Sequence, residues 1–197
     1  GNLADWPFAQ HHGRFEAVAD FRNTVLDYDP DWPVADALDG RATFVNLGMR
    51  VTTSAGRSLG NAVESASAEI AHFDHAELAL AIRGHGRAGS LLDWLRKTPV
   101  GQEHQAALAA LQVAGGAAYT IKLNLPLHDD PGARPLLDGR VTLADVRFRV
   151  PDWSLELQHL RGPLRFDTGG IQAQELTADY NGVPVQLQSR IGDATRR

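Results

Sequence analysis

Leu38-Asp39-Gly40-Arg41-Ala42-Thr43-Phe44 is the stretch on which the fold turns, because the chain writes it twice. It returns as Leu137-Asp138-Gly139-Arg140-Val141-Thr142-Leu143, an offset of 99 residues (137 minus 38). The continuation repeats as well, Met49-Arg50-Val51 against Phe148-Arg149-Val150. In both copies the apolar rhythm changes parity at the same place. Phe44 and Leu143 lie on one parity, whereas Leu47, Met49, Val51 and Val146, Phe148, Val150 lie on the other. A period of two marks a half-buried strand, and one parity change inside it predicts a bulge in both copies. The Asp-Gly pairs at 39–40 and 138–139 are expected as turns opening the repeated strands, where glycine supplies a positive φ. Strands repeated between turns predict a quasi-linear β protein that works through an extended surface.

Outward from the repeat the same alternation recurs. Phe15, Ala17, Ala19 and Phe21 alternate with Glu16, Asp20 and Arg22, and Val25 to Tyr28 reads as a second strand before the rigid Asp29-Pro30-Asp31-Trp32-Pro33 turn. Glu69–His75 and Glu77–Arg83 read as two more strands. Tyr119, Ile121, Leu123 and Leu125 alternate with polar residues until Pro126 stops the ladder. Trp153, Leu155 and Leu157 start another run, and Leu176, Ala178 and Tyr180 meet Val183, Val185 and Leu187 across Asn181-Gly182, a hairpin signal. One stretch departs from this pattern. Ser90 with Asp93 resembles a capping box ahead of Leu91, Leu92, Trp94 and Leu95, and Pro99 can open a second helix carrying Val100, Ala107, Leu108 and Leu111, with Gly115-Gly116 as its end. Gly84 to Gly89 reads as a flexible connector into that helical pair.

Composition narrows the function. The 197 residues suffice for a sizeable core. With 19 basic against 24 acidic side chains, mixed along the chain for a net charge of −5, there is no electrostatic footprint for nucleic acid. Cysteine is absent, which removes disulfides and thiolate metal sites. The weakly polar run from Ala106 to Tyr119 is shorter than the roughly 20 apolar residues a spanning helix takes. The chain begins at Gly1-Asn2, without a signal core, and is expected to be a segment excised from a longer protein.

No residue pattern announces catalysis. His72, Asp74, His75 and His85 form the densest group of metal-ligand types, but on one strand His72 and Asp74 share a face that His75 does not, so a structural role is expected. His11-His12 and His128-Asp129-Asp130 read as solvated turns. Glu103-His104 lacks the second histidine of a zinc protease, since position 107 is Ala, and there is no nucleophile elbow or phosphate loop. Trp32 and Trp153 stand in matching Asp-Trp phrases; recurrence at one repeat position favours packing over ligand contact, and both are expected in the core. No catalytic, cofactor-binding or metal-binding residue is expected.

Several phrases together resemble an internal piece of the YhdP family, a group similar to the AsmA-like and TamB-like proteins of Gram-negative envelopes. They are Asp5-Trp6-Pro7-Phe8, Leu26-Asp27-Tyr28 with Asp31-Trp32-Pro33, the two Leu-Asp-Gly-Arg starts, Leu91-Leu92-Asp93-Trp94-Leu95 with Pro99, and Leu123-Asn124-Leu125-Pro126-Leu127. Their order spans nearly the whole chain. The resemblance implies a periplasmic protein anchored in the inner membrane by a helix outside this sequence. In such a protein, repeated strands form a U-shaped groove that carries phospholipid acyl chains between the membranes.

The expected fold is therefore mainly β: a twisted, antiparallel, open and elongated repeated-strand groove with a short helical pair inserted near residues 90–112. The whole of 1–197 is expected as one elongated segment, with repeat units at about 13–89 and 137–192. The candidate wall residues for a phospholipid or other acyl-chain ligand are Phe15, Phe21, Phe44, Met49, Leu78, Leu80, Ile121, Leu123, Val146, Phe148, Leu155, Leu157, Val185 and Leu187. Alternation alone also permits a closed sandwich in which these residues pack on one another. A rival role is a scaffold rod whose strand edges bind adjacent segments of the same polypeptide or envelope partners by β-addition.

Overall fold

The computed structural model describes residues 13–27, 30, 32–98, 101–102, 105–127 and 135–192. Ten strands form one antiparallel sheet in which spatial order equals sequence order. They are β1 (Glu16–Leu26), β2 (Ala35–Val45), β3 (Gly48–Ser58), β4 (Asn61–Ile70), β5 (Glu77–Arg87), β6 (Gln112–Pro126), β7 (Leu136–Val150), β8 (Leu155–Asp167), β9 (Gly170–Tyr180) and β10 (Val183–Gly192). Among the described residues the sheet stays open, since β1 pairs only with β2 and β10 only with β9. Helix α1 (Ala88–Arg96) follows β5, and a short α2 (Gln105–Ala109) precedes β6.

The repeated phrase takes two different forms. In the first copy the parity change is not a bulge but the turn Asn46-Leu47 that joins β2 to β3. In the second copy β7 runs on through the change, and the register shifts between Leu143 and Val146. Asn46 and Asp145 stand 99 residues apart, and both adopt the left-handed conformation, at φ 50° and 57°. One local backbone choice thus closes a hairpin in one place and makes a bulge in the other.

Other expectations need correction. Gly40 and Gly139 do not open turns: each lies inside its strand without a positive φ. Val25 and Leu26 are the end of β1 rather than a separate strand, since the chain passes Asn23 as a bulge at φ 47°. The strand placed at Glu69–His75 is in fact β4, which ends at Ile70; Phe73–His75 is a single 3₁₀ turn. The glycines from 84 onward continue β5 and enter α1 directly, so they are no connector. Gly115 and Gly116 sit in β6, where Gly115 makes a bulge at φ 130°. Ser90 is inside α1, whose N-cap is Arg87 with no side-chain cap. Asn181-Gly182 does form the hairpin turn, both residues at positive φ.

Trp153 is not core. Pro151 starts a 3₁₀ turn that Ser154 closes at φ 50°, so the ladder resumes only at Leu155 and Trp153 is left 77% exposed. Trp32 is half-buried and meets Trp94 edge-on at 6.0 Å between ring centroids. Residues 11–12, 28–29, 99–100, 103–104 and 128–130, on which some sequence readings fall, lie outside the described residues.

Candidate functional site

Register sorts the side chains into two faces of opposite chemistry. Because paired residues in an antiparallel ladder point the same way, partners can be followed from strand to strand. One line runs Ala17, Phe44, Met49, Ile70, Leu78, Leu125 across β1 to β6. The next runs Ala19, Ala42, Val51, Ala68, Leu80, Leu123, Leu137. A third runs Phe21, Gly40, Thr53, Ala66, Ile82, Ile121, Gly139, Phe166, Ile171 across β1 to β9. None of these positions carries a charge. Register shifts interrupt the ladders β1–β2, β4–β5, β6–β7, β7–β8 and β8–β9 among others, and bulges in general bend a strand and increase its twist.

The intervening positions form the outer face. Asp20, Arg41, Thr52, Ser67, Ala81, Lys122, Asp138 and Asp167 make one such line. Ion pairs cross between its strands: Arg41 to Asp20 at 2.6 Å and Arg50 to Glu69 at 2.7 Å. At two bulges a carboxylate bridges a histidine and an arginine of the next strand. Glu64 lies 2.8 Å from His85 Nδ1 and 3.3 Å from Arg83 Nε, and Asp145 lies 2.6 Å from His159 Nδ1 and 3.5 Å from Arg161. The hydrogen bond from His159, with Arg161 beside it, holds the Asp145 carboxyl below its ordinary range despite some desolvation. A cleft of about 460 Å³ between β8, β9 and β10 is lined partly by His159, Arg161, Thr177, Asp179 and Gln186.

All fourteen wall candidates lie on the apolar face, but their surroundings differ. Phe15 and Phe21 edge the trough at β1; Phe44, Met49, Leu78 and Leu80 are half-buried along β2 to β5. Ile121 is half-buried and Leu123 buried on β6. Val146 and Leu157 belong to a sealed cluster with Ala88, Ala117, Leu160, Ala173, Leu176 and Ala178, against which Phe148, Leu155, Val185 and Leu187 pack. The candidates thus divide between an open stretch over β1 to β5, the β6 pair beside it, and a cluster packed at the α1 end of β7 to β10. The sequence reading missed Tyr119, Phe166, Leu143 and Leu160 as members of the face. Tyr119 and Leu143 stood in visible alternations, whereas Leu160 follows a bulge at His159 (φ 52°) that resets its parity.

Helix α1 covers one end of the packed stretch. Ala88 enters the cluster and Leu91 packs on it. At the far end of α1, Trp94 Nε1 donates to Ser58 Oγ at 3.1 Å, and that hydroxyl donates to the Val34 carbonyl at 3.0 Å. Arg96 donates to the Leu108 and Leu111 carbonyls, both at 2.7 Å, which ties α2 to α1. The helical pair is therefore fastened at Ser58, at the end of β3, and at the cluster around Val146.

The histidine group does not converge on a metal. His72 Nδ1 accepts from the Asp74 amide within its own turn, while His85 is turned to Glu64 on the outer face. Among the described residues no set of three or more such side chains is placed to hold an ion, and no helix is long and apolar enough to cross a membrane.

Comparison with known proteins gives the same picture as the phrases in the sequence. The intermembrane phospholipid transporter YhdP of Escherichia coli (strain K12) is 27% identical over 190 residues, which is 95% of this chain and 14% of that protein. No solved structure matches. The family model described as YhdP protein matches residues 1–196, and on that match the chain belongs to the YhdP family.

Proposed function

We propose that the chain is one segment of a periplasmic, inner-membrane-anchored bridge that carries phospholipid between the inner and outer membranes along its apolar face. The observation that carries this reading is the charge-free set of register lines across successive strands, with the ion pairs between strands, among the described residues, kept to the other face. Burying acyl chain stabilises by about 0.8 kcal/mol per methylene, and a face without charged side chains lets a chain slide along it. The matched relative is named a phospholipid transporter, which agrees with that chemistry. The role is that of a conduit, with no chemical step assigned to any side chain. Neighbouring segments of the same polypeptide are the partners for the two sheet edges.

The test is mass spectrometry of the chain purified without detergent from phospholipid-rich cells. Phospholipid in a reproducible ratio is expected, and it should be lost in Leu80→Asp or Phe44→Asp, both half-buried, while circular dichroism stays that of a β protein. A lipid-free wild-type chain, or a load indifferent to those charges, would overturn the reading.

A further inference from the structure

Two glycines hold the same line of the apolar face, Gly40 on β2 and Gly139 on β7, and each is paired directly with a phenylalanine. Phe21 arrives over Gly40 from β1, and Phe166 over Gly139 from β8. A β-carbon added at Gly40 would stand 2.5 Å from Phe21 Cζ, and one added at Gly139 would have three Phe166 ring carbons as its nearest atoms. Neither glycine has a positive φ, so the position needs an absent side chain rather than a special backbone. The two glycines lie five strand spacings apart, about 24 Å along the stack. A related contact joins Gly84 to Tyr119, whose hydroxyl oxygen would stand 2.6 Å from an added β-carbon. The internal repeat keeps the glycine in both copies although the ring comes from the strand before in one and the strand after in the other.

We propose that the Gly40–Phe21 and Gly139–Phe166 pairs set the clearance of the trough and so decide how bulky an acyl chain passes, an inference that rests on the lipid reading above. A ring laid on a glycine covers the backbone while taking little of the lumen; a β-carbon beneath it forces the ring up into the path of the ligand. Gly139 is the cleaner site, because the three nearest atoms there are all Phe166 ring carbons, whereas at Gly40 an added β-carbon would also strike the Thr52 carbonyl oxygen.

The experiment uses two fluorescent fatty acids on the purified chain: slim cis-parinaric acid and bulky pyrenedodecanoic acid. Gly139→Ala should bind the pyrenyl probe about fivefold more weakly and the slim probe within about twofold of wild type; Gly139→Ala with Phe166→Ala should recover the loss. Phe166→Ala and Phe21→Ala alone should bind the pyrenyl probe about threefold more tightly with the slim probe unchanged, and they serve if Gly139→Ala does not fold. Equal changes for both probes, or none for either, would overturn the inference alone. A wild-type chain that binds neither probe would overturn the lipid reading and this inference with it.

Discussion

Tyr119 ties three strands together through one hydroxyl. It stands on β6, lies over Gly84 of β5, and donates to the Ala62 carbonyl of β4 at 2.9 Å. Burial pushes its phenol up to about 12, with the Glu64 charge adding to the shift. The folded state favours the neutral form, so its contribution is complete below the ordinary tyrosine value and disappears as pH rises through about 12. Alkaline unfolding is expected in that window, followed by phenolate absorbance, and Tyr119→Phe should remove the step while costing about 1 kcal/mol at neutral pH for the lost hydrogen bond. Asp145 has the opposite sign. Its carboxyl is held low by His159 and Arg161, so its contribution is present above the ordinary aspartate value and lost as pH falls through the depressed one. Asp145→Asn should make the acid limb of a stability-against-pH curve shallower, and added salt should shrink the difference between the two proteins.

At the scale of the element, α1 depends on one residue more than on its cap. Trp94 is its link to Ser58 and Trp32, and Trp94→Ala should cost about 2 kcal/mol in denaturant unfolding, part of it cavity and part the Ser58 hydroxyl left without its donor. Replacing residues 88–111 by a short linker should expose the cluster around Val146 and lower the melting temperature more than Trp94→Ala does. These elements also mark how far the sequence could be read. Strands with large apolar side chains on alternate positions, such as β6 and the β9–β10 hairpin, were legible in type and in face. β4 was not: in Asn-Ala-Val-Glu-Ser-Ala-Ser-Ala-Glu-Ile the inward positions after Val63 are Ala66 and Ala68, too small to stand out until Ile70. Ala68 lies opposite Val51 and Leu80, and Ala66 opposite Thr53 and Ile82, so bulk comes from the neighbouring strands, and pairing between strands is information a single strand does not contain. Trp153 failed for a related reason. Its parity matched the run that follows, but Pro151 and Ser154 remove it from the ladder before the run begins. The fourteen wall candidates could be placed on one face from alternation, whereas their division into open and packed stretches depends on α1 and on the register shifts.

For the whole molecule, the sheet's two ends matter as much as its face. Among the described residues β1 and β10 each have a strand neighbour on one side only, and Val18 (53% exposed) and Val183 (60%) stand near those ends. Such edges are templates for further strands. The isolated chain is expected to self-associate at high concentration, by analytical ultracentrifugation, and Val18→Lys should reduce that association with little change in stability, because the side chain is already in water.

The meander order has a mechanical corollary. With every strand bonded only to the one before and the one after, the ladders act in series, and a tension applied along the stack is borne in full by each of them. Such an arrangement parts at its weakest seam, whatever the strength of the others. β5–β6 is paired without interruption through eleven residues, whereas β8–β9 is broken twice and retains six registered pairs. If a bridge built from such segments is stretched as the distance between its two anchor points changes, this one yields first between Leu155–Asp167 and Gly170–Tyr180, and single-molecule pulling on the sheet edges would find its lowest rupture force there.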